Sequence, residues 1–393
     1  MKTRWMMLLL PALLFALGVQ AQQNVGFKDG TLVSPQVNSD NSVTFRLNAP
    51  KAQQVMVIGD WEANDGKGNM VKGADGVWTY TTPVLPSEMY TYRFSIDGVT
   101  GLDPANPFTK RDVGTIFSMF FVDGYPADFY QVQDVPHGTV LQQWYHSDKA
   151  GTDRRLSVYL PAGYQTKGRN YPVLYLLHGS GGDETAWLDL GMTARIMDNL
   201  IARKKAEPMI VVIPNGNFGV QAAAGETKDN LRFRPVMSNQ IKGNYKNGDY
   251  EIAFPEIINF IERTYRVKSD KAHRAVAGLS MGGFHTLYIS ANYPEKFDYM
   301  GLFSAGIRFS ADDAANPVYN NLDQKLQTLQ TVGYKLYWIS IGKDDFLYKA
   351  NREYMQQLDK LGFKYEYHES TRGHLWCNWR QYLLQFAQRL FKE

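Results

Sequence analysis

Arg274-Ala275-Val276-Ala277-Gly278-Leu279-Ser280-Met281-Gly282-Gly283 is the stretch whose reading decides the fold. Ala275-Val276-Ala277 is a β-rich run entering a turn, and Phe284–Asn292 continues with helical character beyond it. A strand-to-helix turn this tight crowds its flanks, so glycine is needed two residues before and two after the serine. Ser280 then stands exposed at a helix N-terminus, where the macrodipole favours a developing negative charge. Gly282-Gly283 lets that helix pack close to its strand. The bland alternative is a glycine-rich βα turn without chemistry, and the strand–turn–helix context argues against it.

Outward from this turn the same grammar repeats. Apolar runs of strand length lie at Leu156–Leu160, Val173–Leu177, Met209–Ile213, Arg274–Gly278, Tyr299–Phe303, Leu336–Ile341 and Tyr365–Glu369. Helical patterns fall at Met192–Lys205, Tyr250–Arg266, Met281–Asn292, Lys349–Lys360 and Trp376–Phe391. Buried strands alternating with helices imply a mostly parallel sheet covered on both faces, an α/β hydrolase-like domain over residues 139–393.

A serine hydroxyl needs a base, and the base needs an orienting carboxylate; in this architecture the chain order is Ser, acid, His. Two histidines follow the turn's helix, His368 inside a strand pattern and His374 in the loop after it. The loop position suits a base, which selects His374. His285 lies one helical turn beyond Ser280 and would point away from the attack face. Asp344 and Asp345 both follow the strand Leu336–Ile341, and either can supply the acid. An oxyanion needs two backbone N–H donors. One is Met281; the other belongs to the glycine-rich loop Leu177-His178-Gly179-Ser180-Gly181-Gly182, from Gly179 or Ser180.

The first third reads differently. Short alternating strands at Ser42–Leu47, Gln54–Ile58, Val77–Thr81 and Met89–Ile96 are separated by turn residues, which predicts an all-β immunoglobulin-like sandwich over 22–125. Residues 126–138, with Pro126 and Pro136, read as a linker. Before the sandwich, Lys2 and Arg4 precede an apolar run from Trp5 to Leu17, then Val19 and Ala21. That is the form of a secretory signal over 1–21, and the run falls short of the ~20 residues a membrane span needs. A secreted or periplasmic protein is expected. The formal charge of +3 falls to +1 without Lys2 and Arg4, so neither nucleic acid nor an anionic membrane is an expected partner.

The combination of Tyr175–Gly182, Pro214-Asn215-Gly216, Arg274–Gly283, Gly342–Asp345 and Gly373-His374 resembles the esterase D-like hydrolases of carbohydrate esterase family 1, which include feruloyl and acetylxylan esterases. The family's acid ends a G-x-x-D run, which falls on Asp345, so the resemblance implies a triad of Ser280, Asp345 and His374. Gly59-Asp60-Trp61, Gly76-Val77-Trp78, Tyr90–Phe94, Asp97-Gly98 and Asp103–Pro107 resemble a family 48 carbohydrate-binding module. Trp78 and Phe94 read as core, whereas Trp61 is a candidate sugar-stacking ring.

The pairing implies an enzyme acting on feruloylated or acetylated plant polysaccharide, arabinoxylan or its oligosaccharides, with feruloyl esterase first and acetylxylan esterase second. A siderophore esterase of enterochelin type and a non-catalytic carbohydrate-binding protein are the other readings. Phe218, Trp187 and Trp376 are candidate walls for a planar acyl group. The polar segment Gly219–Asp249 has no clear periodicity and is a candidate lid. No metal-ligand spacing occurs, so no cofactor is expected. Cys377, the sole cysteine, reads as a buried structural thiol rather than a nucleophile.

Overall fold

Alternation of apolar and polar residues builds the first unit as two antiparallel sheets. The computed structural model describes residues 32–166, 168–227, 247–307 and 315–392, so the expected signal over 1–21 lies outside the described residues. One sheet holds Gln36–Val37, Val43–Asn48, Val77–Thr81 and Val71–Lys72; the other is centred on Val55–Gly59, Glu88–Ile96 and Thr115–Val122, with Thr109–Asp112 on one edge. Val43, Phe45 and Leu47 face Val57, Tyr92, Phe94 and Phe120 across the interior, and Trp78 is buried with them. Asp103 ties this unit's loops: Ser34 Oγ and Tyr92 OH donate to its Oδ2 at 2.6 and 2.8 Å.

The second unit is an eight-stranded sheet. Its order is Thr139–Ser147, Thr152–Leu160, Ile210–Pro214, Val173–Leu177, Arg274–Leu279, Tyr299–Phe303, Leu336–Gly342 and Glu366–Ser370. The first two pairings are antiparallel and the rest parallel. The five central parallel strands are buried along their whole length, as continuous apolar runs require. Helices Asp249–Thr264, Met281–Asn292, Leu322–Val332 and Tyr348–Lys360 cover one face, and Thr193–Ala202 with Trp376–Ala387 the other.

The stretch read as a linker is packed, not loose. Phe129 and Tyr130 are buried, and the Asn199 amide donates to the carbonyls of Phe129 and Gln131 at 3.0 and 2.9 Å. Met89 and Met119 of the sandwich lie in the same apolar cluster as Trp187 and Leu383 of the α/β unit. Through this seam runs Arg380, fully buried, donating to Glu88 Oε1 at 3.1 Å and to the carbonyls of Leu190 and Met89 at 2.8 and 2.9 Å. The two units share a core, so the sandwich has a fixed position over the α/β sheet.

Candidate active site

Strand Arg274–Leu279 delivers Ser280 to the end of the sheet, and helix Met281–Asn292 starts at the next residue. The turn forces Ser280 to φ 52°, ψ −114°, a conformation that a side chain rarely adopts and that a surrounding framework must hold. That framework is visible. Ser280 N–H donates to Phe303 O at 2.9 Å, and Ser280 O accepts from Gly306 and Phe284 at 2.8 and 3.0 Å. A Cβ on Gly278 would stand 2.4 Å from the Gly282 backbone, and one on Gly282 would stand 2.4 Å from Leu177 O. Both glycines are therefore steric necessities.

Asp345 and His374 come together. Asp345 is buried; its Oδ2 lies 2.8 Å from His374 Nδ1, and its Oδ1 accepts from Leu347 N–H at 2.9 Å. Asp344 is exposed. The His374 ring is held between Phe346 and Trp379, with centroids 4.7 and 4.8 Å away. Asn378 shapes its loop by donating to Thr371 O and Gly373 O, both at 3.0 Å. His368 lies flat on Trp338 at 3.5 Å, where burial lowers its pKa. His285 points into the protein at Glu251, 2.7 Å away. Cys377 is also turned inward, and burial pushes its thiol up to about 11.

The glycine loop is braced more heavily than its letters suggest. Gly179 passes so close to the turn that a Cβ there would meet Leu279 Cδ1 at 2.4 Å and Ser280 Cβ at 3.3 Å. Gly216 N–H donates to His178 Nε2 at 2.8 Å, which leaves the proton on Nδ1 to be given to Gly179 O at 2.8 Å. Burial depresses the His178 pKa and favours this neutral ring. Behind the loop, Glu184 accepts from Arg155 Nε, Asn215 Nδ2 and Ala223 N–H at 2.6, 2.8 and 2.9 Å. The sequence reading quoted His178 and Asn215 but missed these bracing roles.

Ser280, His374, Gly179, Ser180 and Trp376 line one cleft of about 410 Å³. Its opposite wall comes from the sandwich: Gly59, Asp60, Thr91, Arg111, Asp112, Val113 and Phe117. Nothing in the sequence reading placed these residues at the site. Three of the aromatic candidates need correction. Trp61 is 3% exposed and stacked on Phe45 inside the sandwich, because Gly59 leaves room for its ring to fold back. Trp187 is wholly buried, donates Nε1–H to Leu177 O at 2.9 Å, and props Trp376 edge-on. Phe218 is half-buried beneath the Arg154 guanidinium, away from the cleft lining. Of the segment read as a lid, residues 228–246 lie outside the described residues. Its start is tied down by Arg155 N–H donating to Gln221 O at 2.7 Å.

Comparisons with known proteins find likenesses for both units. The family described as "Putative esterase" matches residues 147–390, and the family described as "Carbohydrate-binding module 48 (Isoamylase N-terminal domain)" matches residues 33–109. An endo-1,4-beta-xylanase/feruloyl esterase of Xylanibacter ruminicola is 35% identical over 376 residues, 91% of this chain and 46% of the relative. The chain thus spans less than half of that relative's length. A solved ferulic acid esterase superposes with a TM-score of 0.52 at 27% identity, covering 65% of this chain and 98% of the other. The enterobactin esterase of Shigella flexneri shares the fold over both units, with a TM-score of 0.61 over 88% of this chain and 92% of the other at 17% identity.

Proposed function

The chain belongs to the esterase family, and on that premise we propose that it is a serine carboxylic-ester hydrolase that releases ferulate from feruloylated arabinoxylan. The observation that carries the proposal is Ser280, strained at its turn, sharing a cleft with the His374–Asp345 pair. Ser280 Oγ attacks the ester carbonyl while His374 Nε2 takes its proton. Asp345, hydrogen-bonded to Nδ1, fixes the ring and stabilises the imidazolium. The same histidine protonates the departing sugar alkoxide, then activates water to free ferulate from the serine.

Two N–H groups receive the oxyanion, that of Met281 and one from the glycine loop. The Gly179–Ser180 peptide points its carbonyl at the buried His178 ring and at Gly182 N–H. A trans peptide directs its N–H the opposite way, so Ser180 is the second donor. Support for the feruloyl substrate comes from the Xylanibacter relative, whose likeness runs through both units. Acetylated xylan is the nearest alternative substrate. The siderophore reading is favoured by the two-unit superposition with enterobactin esterase, but at 17% identity that likeness speaks for fold alone. Lys2, Arg4 and the apolar run after them support export as part of the proposal.

The test is hydrolysis of methyl ferulate, p-nitrophenyl acetate, acetylated xylan and a catecholate siderophore by wild type and Ser280→Ala. Ferulate ester should be preferred, and the alanine variant should lose about 10⁴-fold or more in kcat. Full activity in Ser280→Ala overturns the mechanism; preference for the siderophore overturns the substrate.

A further inference from the structure

Both walls of the catalytic cleft mix apolar and polar groups. Beside Ser280 the α/β side presents Leu279, Leu375, Trp376 and Trp379, and the sandwich side brings Asp60, Arg111 and Asp112 among Ile58, Val113 and Phe117. Two of these three charged groups are already engaged. Asp60 is taken up by Thr91, whose N–H and Oγ1 donate to it at 2.9 and 3.0 Å. Arg111 donates to Asp183 at 2.5 Å and to Val113 O at 2.9 Å. Asp112 is different. It is half-buried at the end of strand Thr109–Asp112 and lines the cleft with Trp376; burial raises its pKa, and the neighbouring Trp376 and Arg111 act against that. A carboxylate has about four acceptor positions, so most of its capacity remains for a ligand.

The position of this carboxyl is preset. The hairpin tip turns through Val113 at φ 51°, and the Val113 methyls fill the space a Cβ on Gly181 would need, 2.9 Å away. The Arg111–Asp183 pair fastens the same tip to the oxyanion loop. Asp112 is thereby held at a fixed offset from Ser280 by residues on both units.

We propose that Asp112 is a specificity-determining residue that accepts hydrogen bonds from sugar hydroxyls on the alcohol side of the ester, while the planar acyl group lies on the Trp376 wall. The inference rests on the feruloyl-polysaccharide reading and adds to it the residue that reads the sugar. A hydrogen bond to a charged acceptor is worth enough to alter kcat/KM by roughly 10- to 100-fold.

The experiment compares kcat/KM for a feruloylated arabinoxylan oligosaccharide and for methyl ferulate, in wild type, Asp112→Asn and Asp112→Ala. Asp112→Ala should lower the value on the oligosaccharide at least about tenfold more than the value on methyl ferulate, with Asp112→Asn between. Methyl ferulate serves as the folding control. An equal fall on both esters would reduce Asp112 to a prop for Trp376, and no fall on either would remove it from recognition; either overturns the proposal. If wild type cleaves neither ester, the feruloyl reading fails and this inference with it. If it cleaves both and the ratio does not move, only Asp112 is lost.

Discussion

On the α/β wall of the cleft, every reacting group sits just beyond the C-terminal end of a parallel strand. Ser180 follows Val173–Leu177, Ser280 follows Arg274–Leu279, Asp345 follows Leu336–Gly342 and His374 follows Glu366–Ser370. On the sandwich wall, Asp60 and Asp112 belong to different strands and loops of a unit whose own core looks elsewhere. The first wall is a property of a local architecture, which places chemistry at strand ends whatever else the protein does. The second exists only because two units dock, and its contacts join residues far apart in the chain, such as Arg111 and Asp183. Catalysis is written in short motifs, recognition in an interface.

The sharpest way to break this contrast is at the acid. Asp345→Asn preserves shape but removes the charge and favours the wrong His374 tautomer, which should lower kcat by about 10³- to 10⁴-fold. Asp344→Asn, one residue away and exposed, should leave kcat within about twofold. Steady-state rates on methyl ferulate decide it. Comparable losses in the two variants would mean that local charge, rather than the strand-end geometry, supports the base.

A second test acts on the interface. Arg380→Met removes the buried guanidinium and leaves the Glu88 carboxylate, 4% exposed, facing an apolar side chain. The cost should be about 3–5 kcal/mol, read as a lower urea midpoint. Because Arg380 also holds the carbonyls of Met89 and Leu190, hydrolysis of the feruloyl oligosaccharide should suffer more than that of methyl ferulate. Arg380→Met with Glu88→Gln should recover part of the stability. An undiminished midpoint in the single variant would show that the seam is held by Met89, Met119 and their neighbours alone.

These contrasts explain what was legible in the sequence. Strand runs such as Val173–Leu177 and Tyr299–Phe303 announce themselves because burial on both faces permits only apolar residues. Thr139–Ser147 does not: it is an edge strand, mostly exposed, and becomes a strand only by pairing with Thr152–Leu160. Helix Leu322–Val332 hides similarly, since just Leu322, Leu326 and Leu329 are buried in a polar run. Trp61 misled because a tryptophan beside a turn glycine looks the same whether its ring faces solvent or folds onto Phe45. Asp112 was invisible because its neighbour Trp376 lies 264 positions away in a different unit.

The smallest expected effect concerns the brace behind the oxyanion loop, where the α/β wall depends on one neutral histidine. His178 accepts from Gly216 N–H, so protonating Nε2 would set two donors against each other inside the core. Its folded pKa is depressed by burial below the ordinary 6.5. Stability from the neutral ring is therefore fully present above the unfolded value of 6.5 and is lost as pH falls from there towards the folded one. One proton sets the ceiling, about 1.4 kcal/mol for each pH unit below the unfolded value. Glutamine at this position can present one donor and one acceptor without titrating. Urea midpoints at pH 7.5 and 5.5 should show a steeper acid loss in wild type than in His178→Gln, although the variant starts lower. Since the same ring holds Gly179 O, and through that peptide the Ser180 N–H, the acid loss of kcat should also shrink in the variant. Equal slopes would place the acid sensitivity elsewhere and would leave the loop's geometry to Glu184, Asn215 and Asn217.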